Sequence, residues 1–165
     1  MATGTVLLPV QSAKLAGAHI TTPMVIEGAE GSWALLADAT TDEEAIFQFR
    51  MPTDYSSAPV LKITYSMASA VADQVVFACA VMALTIDTTD DLDTAAFDTV
   101  NTGTADTVPG AAGRLGEVSI TLTNADSAAA ADLVLLRISR DANNGSDDAT
   151  GDAELRAISL EYTTA

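Results

Sequence analysis

The chain is 165 residues long with a mass of 16.9 kDa, 48% hydrophobic residues and a mean hydropathy of +0.26, which fits one folded domain and excludes an intrinsically disordered one. Its 23 acids against 7 bases give a formal charge of −16, which excludes the clustered Lys and Arg of a nucleic-acid surface and disfavours docking on anionic membranes. A lone cysteine, Cys79, excludes an intrachain disulfide and any multi-cysteine metal site.

Residues 1–10 carry neither a basic region nor a long apolar run, so no secretory signal is expected and the product is placed in the cytoplasm at synthesis. Residues 5–10 are a strand or an arm, and 20–26 and 32–37 are strands. The first clear alternation sets Phe47, Phe49 and Met51 against Gln48 and Arg50. The next sets Leu61, Ile63, Tyr65 and Met67 against Lys62, Thr64 and Ser66.

Residues 75–86 are apolar on both faces. They predict either a central strand covered on its outer side or a strand in a subunit contact, with Val75, Phe77, Val81 and Trp33 as candidate interface residues. A helix over 68–84 is the weaker reading, because Val75, Val76 and Phe77 favour extended structure. Within that stretch Cys79 reads as a small buried hydrophobe. The polar stretch 87–113 is a long connection, either an interaction element or poorly ordered.

Val118, Ile120 and Leu122 then alternate with Glu117, Ser119 and Thr121, and 133–140 is a further, mostly apolar strand. At the end Leu155 and Ala157 give way to Ile158, Leu160 and Tyr162, a phase shift that predicts a bulge. Turn residues punctuate 27–31, 52–57 and 141–148.

About eight strands with one long crossing connection predict a single all-β domain, an antiparallel β-sandwich of jelly-roll type. Residues 31–165 form its body and 1–30 an N-terminal arm or edge strands. An immunoglobulin-like topology is second, weakened by the absence of a cysteine pair around Trp33.

The case for catalysis is thin. His19 is the sole histidine, no nucleophile elbow surrounds it, and no phosphate-binding glycine loop, dinucleotide fingerprint or zinc motif is present. No catalytic residue and no cofactor are expected. The best metal candidate is Asp141, Asn143, Asp147 and Asp148, whose alternating oxygens suit calcium. Glycine falls at the fifth position of that run, at Gly145, and the bidentate glutamate of an EF-hand is missing, so an Asx-rich turn is the favoured reading. Asp87, Asp90, Asp91 and Asp93 repeat the question with weaker spacing. Arg137, Arg140 and Arg156 fall inside strands and are expected to pair with acids of the 141–154 region. Trp33 reads as a core or interface anchor, with stacking on a sugar as its alternative.

Trp33 with Asp38, residues 41–44 leading into Phe47, Phe49, Met51 and Tyr55, then 61–65, 75–77 and the closing pattern 136–162, together resemble a group of small tailed-phage structural proteins. The resemblance spans residues 30–162 and is one of spacing. It implies a jelly-roll virion protein without catalytic residues, a capsid decoration (cement) protein. Such a protein would sit as a homotrimer on the outer capsid surface of a bacteriophage, with the major capsid protein as partner and no nucleic acid or membrane bound. The competing expectation is a tail-fibre or carbohydrate-binding β-sandwich that uses Trp33, Tyr55 or Tyr65 as a sugar platform.

Overall fold

The computed structural model describes residues 2–16, 25–27, 32–69 and 72–165. Strands β1 to β13 run in chain order: Thr3–Leu8, Lys14–Ala16, Val25–Glu27, Ser32–Ala37, Glu44–Arg50, Tyr55–Met67, Gln74–Val75, Phe77–Leu84, Asn101–Thr102, Asp106–Thr107, Gly116–Thr121, Leu133–Arg140 and Ala153–Thr164. Eight of them have six residues or more and build two antiparallel sheets. Of the others, β2, β3 and β9 are short edge pieces, and β7 and β10 pair with each other in a separate two-stranded ribbon.

The first sheet has the order β11-β6-β13-β4-β3, with β1 also paired to β13. The second has the order β2-β5-β12-β8-β9. From β4 onward the long strands fall alternately in the first and second sheets, so each long connection crosses the sandwich, as in a jelly roll.

Side-chain alternation explains why the layers close. Leu61, Ile63, Tyr65, Ile158 and Leu160 of the first sheet meet Phe47, Phe77, Cys79, Val81, Leu136 and Ile138 of the second in one core. Small and β-branched side chains dominate it, and the rings of Tyr65 and Phe77 meet edge to face at 5.3 Å between centroids. Burial inside this core raises the pKa of the Cys79 thiol. Glycine is needed at position 4, where a Cβ would strike the ring of Tyr162 across the β1–β13 pair.

Val75, Phe77 and Val81 are 0%, 0% and 2% exposed and face this core, which corrects their assignment to a subunit interface. The outer-facing Ala78, Ala80 and Met82 of β8 are buried too. The chain that follows runs along the strand: the Asp98 amide donates to the Val81 carbonyl at 2.8 Å, and the Gly103 amide to that of Phe77 at 2.8 Å. Those bonds extend the sheet beside β8, and it is the burial of Ala78, Ala80 and Met82 within the single chain that favours coverage by its own chain over a subunit contact. β1 and β2 lie at edges of the chain's own sheets, paired with β13 and β5.

Candidate functional site

Strands β1 and β4 share one edge of β13. Pairing with β1 ends at Leu8 opposite Ile158, and pairing with β4 ends at Leu35 opposite Leu155, so neither strand lies beside Arg156 and Ala157. The β13–β6 register also slips between Leu155 and Ala157, which is the bulge that the phase shift predicts. The gap opens a cleft of about 450 Å³ lined by Leu7, Pro9, Gln11, Ser32, Trp33 and Arg156 among others.

Its walls are unusual for so polar a surface. Trp33 is 42% and Leu7 75% exposed. Arg156 is positioned from behind. Its Nε donates to Ser66 Oγ at 3.0 Å and its Nη2 to Glu154 Oε2 at 2.6 Å, while the Ser66 hydroxyl donates to the same carboxylate oxygen. Ser66 and Glu154 are buried, so this triad fixes the guanidinium at the cleft. Gln11 and Ser32 add an amide and a hydroxyl. None of the described lining residues is an acid, a histidine or a cysteine. An apolar platform with a few convergent hydrogen-bonding groups suits non-covalent binding, and these described lining residues supply no general base to activate the Ser32 hydroxyl.

The other aromatic candidates are elsewhere. Tyr65 is fully buried, its hydroxyl donating to Asp106 Oδ2 at 2.6 Å, and burial with that bond drives its pKa up. Tyr55 is 9% exposed and packs against Tyr162. Neither offers a ring face to a ligand. His19 lies outside the described residues.

The 141–148 segment gathers no cation site. Both Asp147 oxygens are taken by Arg140, at 3.0 Å from Nε and 2.7 Å from Nη2, and one also accepts the Val76 amide. Asp148 accepts the Gln74 amide, and Asp141 accepts the Asn144 side chain. The Asn143 amide donates to Asp42. Of the proposed calcium ligands Asp141, Asn143, Asp147 and Asp148, the three carboxylates are therefore turned to separate structural partners, and no metal-binding group of three acids, histidines or cysteines occurs among the described residues. A second cleft, lined by Asp90, Asp91, Asp126 and Asp132, behaves alike: Asp90, Asp126 and Asp132 accept the amides of Thr85, Ala83 and Ala129.

Two of the strand arginines find the partners expected of them, Arg140 with Asp147 and Arg156 with Glu154. Arg137 pairs instead with Glu44 and lies 4.6 Å over the ring of Phe97.

No family model matches the sequence, and no curated protein matches it. Solved structures do match by shape. A family 35 carbohydrate-binding module of Cellvibrio japonicus aligns at a TM-score of 0.53 and 10% identity, over 98% of this chain and 99% of that one. The xylan-binding module of family 15 aligns at 0.51 and 12%, over 99% of both. The isomalto-dextranase of Arthrobacter globiformis T6 aligns at 0.53 and 17%, over 95% of this chain, which spans only 23% of that enzyme. At these identities the likeness establishes the β-sandwich fold. The resemblance to phage structural proteins has no counterpart among these structures.

Proposed function

We propose that this chain is a non-catalytic carbohydrate-binding domain and that the Trp33 cleft holds a saccharide. The observation that carries the reading is the half-exposed indole at the wall of a cleft whose other described polar groups, Gln11, Ser32 and the tethered Arg156, are hydrogen-bonding rather than acid–base in character. A pyranose ring presents an apolar face of C–H groups and an equatorial rim of hydroxyls, and such a wall matches both. The likeness in shape to carbohydrate-binding modules supports this reading over capsid decoration.

Trp33 is the chain's single tryptophan, so its fluorescence reports on the cleft alone. Titration with neutral glucan, xylan and mannan oligosaccharides is expected to shift that emission saturably for at least one of them. Silence across the panel, together with no retardation in gels containing the parent polysaccharides, would remove the reading.

A further inference from the structure

The turn after β12 is rich in carboxylates, but the reactive pair in it is an amide and a glycine. Asn144 is the one asparagine of the chain that precedes a glycine; Asn101, Asn124 and Asn143 precede Thr102, Ala125 and Asn144. Gly145 is exposed, has no side chain to shield its nitrogen and stands in open space. Among the described residues no acceptor is bonded to its amide.

The Asn144 carboxamide is held at both ends. Its Nδ2 donates to Asp141 Oδ2 at 3.0 Å, and its Oδ1 accepts the Ser146 amide at 3.1 Å. The second bond closes an Asx turn, which folds the side chain back along the Gly145 peptide. The backbone around it is clasped to the sandwich. The Asp141 amide donates to the Val76 carbonyl at 2.9 Å and the Asp147 amide to the Asn144 carbonyl at 2.9 Å, while the Asp147 carboxylate holds the fully buried Arg140.

We propose that the Asn144–Gly145 bond is a self-modification site of the folded chain, which converts Asn144 to isoaspartate and loosens the clasp between Asp147 and Arg140. Hydroxide takes the Gly145 amide proton, and the freed nitrogen attacks Asn144 Cγ. A five-membered imide closes as the Cγ–Nδ2 bond breaks, and the departing nitrogen takes a proton from water to leave as ammonia, which restores the hydroxide. Water then opens the imide. Attack at Cγ gives aspartate, and attack at the main-chain carbonyl gives isoaspartate, whose backbone runs through Cβ and Cγ. The Ser146 N–H already bonded to Oδ1 faces the oxyanion that forms there and stabilises the step.

The position has leverage. Isoaspartate adds a main-chain atom and a negative charge to a turn that already carries Asp141, Asp147 and Asp148. Lengthening the turn draws the Asp147 carboxylate from Arg140 and leaves a buried guanidinium without its counter-charge. The chemistry does not involve the Trp33 cleft.

Folded protein is to be incubated at mildly alkaline pH and digested with trypsin beside a fresh sample; cleavage after Arg140 and Arg156 delivers residues 141–156 as one peptide. That peptide should gain one mass unit at Asn144, with release of ammonia, and become a substrate for an isoaspartyl methyltransferase. The rate should rise with hydroxide, and the aged protein should unfold several degrees below the fresh one. Gly145→Ala places its Cβ in open space at a position without a positive φ, so it should keep the fold, react tenfold or more slowly and hold its Tm on ageing. Asn144→Asp carries the same charge on an unlengthened backbone and should lose less Tm than the aged chain. Mass gained at Asn143 instead, an equal rate in Gly145→Ala, or reaction only after denaturation in urea would overturn the site. A fully converted chain whose Tm is unchanged, or is matched by Asn144→Asp, would overturn the loosening of the clasp.

Discussion

Arg140 closes β12 and Arg156 stands near the start of β13, on either side of the 141–152 connection, and the two are used in contrary ways. Arg140 is 0% exposed and bonds Asp147 with two nitrogens while donating to the carbonyls of Ala149 and Gly151, so its charge is spent wholly on joining the 141–152 segment to the sandwich. Arg156 is anchored with equal care by Glu154 and Ser66, but lines a cleft beside an exposed tryptophan. The difference teaches that an arginine within a strand of an acidic chain is not in itself a sign of function. What matters is whether the anchored group faces protein or an opening.

The contrast can be broken at its structural side first. Arg140→Met leaves Asp147 buried beside an apolar side chain and should cost about 3–5 kcal/mol, or about 10 °C in Tm, read by thermal unfolding. On the cleft side, Trp33→Ala should lower saccharide affinity tenfold or more while shifting unfolding by less than about 1 kcal/mol. An equal loss of stability would make Trp33 a core residue instead. Glu154→Gln lies between the two: release of Arg156 should cost about 1–3 kcal/mol and weaken binding severalfold.

A smaller effect depends on pH. Burial, with the neighbouring Asp38 charge, raises the pKa of Asp152 in the folded state, so the folded chain binds the proton more tightly than the unfolded one. Stability is then lost as pH rises through that window, and Asp152→Asn should stabilise at neutral pH with a gain that vanishes in acid. Denaturation midpoints across the pH range would show a constant offset if the carboxylate were irrelevant. The smallest expected effect is none: excess chelator should leave Tm unchanged, and a fall that added calcium reverses would return Asp141, Asp147 and Asp148 to candidacy as ligands.

Much of this was legible in the sequence because alternation is a local property. Residues 32–37, the Phe47 and Leu61 alternations and the strand at Val118 fall where period two predicts, and even the bulge near Arg156 announces itself as a phase shift. The cleft did not, because it arises where β1 and β4, strands far apart from β13 in sequence, share an edge and leave a gap. Trp33 could be nominated, but its exposure depends on that gap. For Val75, Phe77 and Val81 the sequence showed two apolar faces without saying which part of the chain covered the second. The carboxylates of 141–148 had the right chemistry for calcium, yet Arg140 and backbone amides of β7 and its neighbour took their oxygens. No local pattern encodes that competition.

The placement of β13 also fixes when the chain can fold. This last strand is an interior member of its sheet, bonded to β6 on one side and to β1 and β4 on the other, and the Thr164 amide reaches the Ala2 carbonyl. On a ribosome the first strand waits for nearly the whole chain to be made before its partner exists. Folding of this domain therefore waits for β13 and is slowed by long-range strand pairing, and until it completes, the apolar edges of β6 and β8 stand open to aggregation.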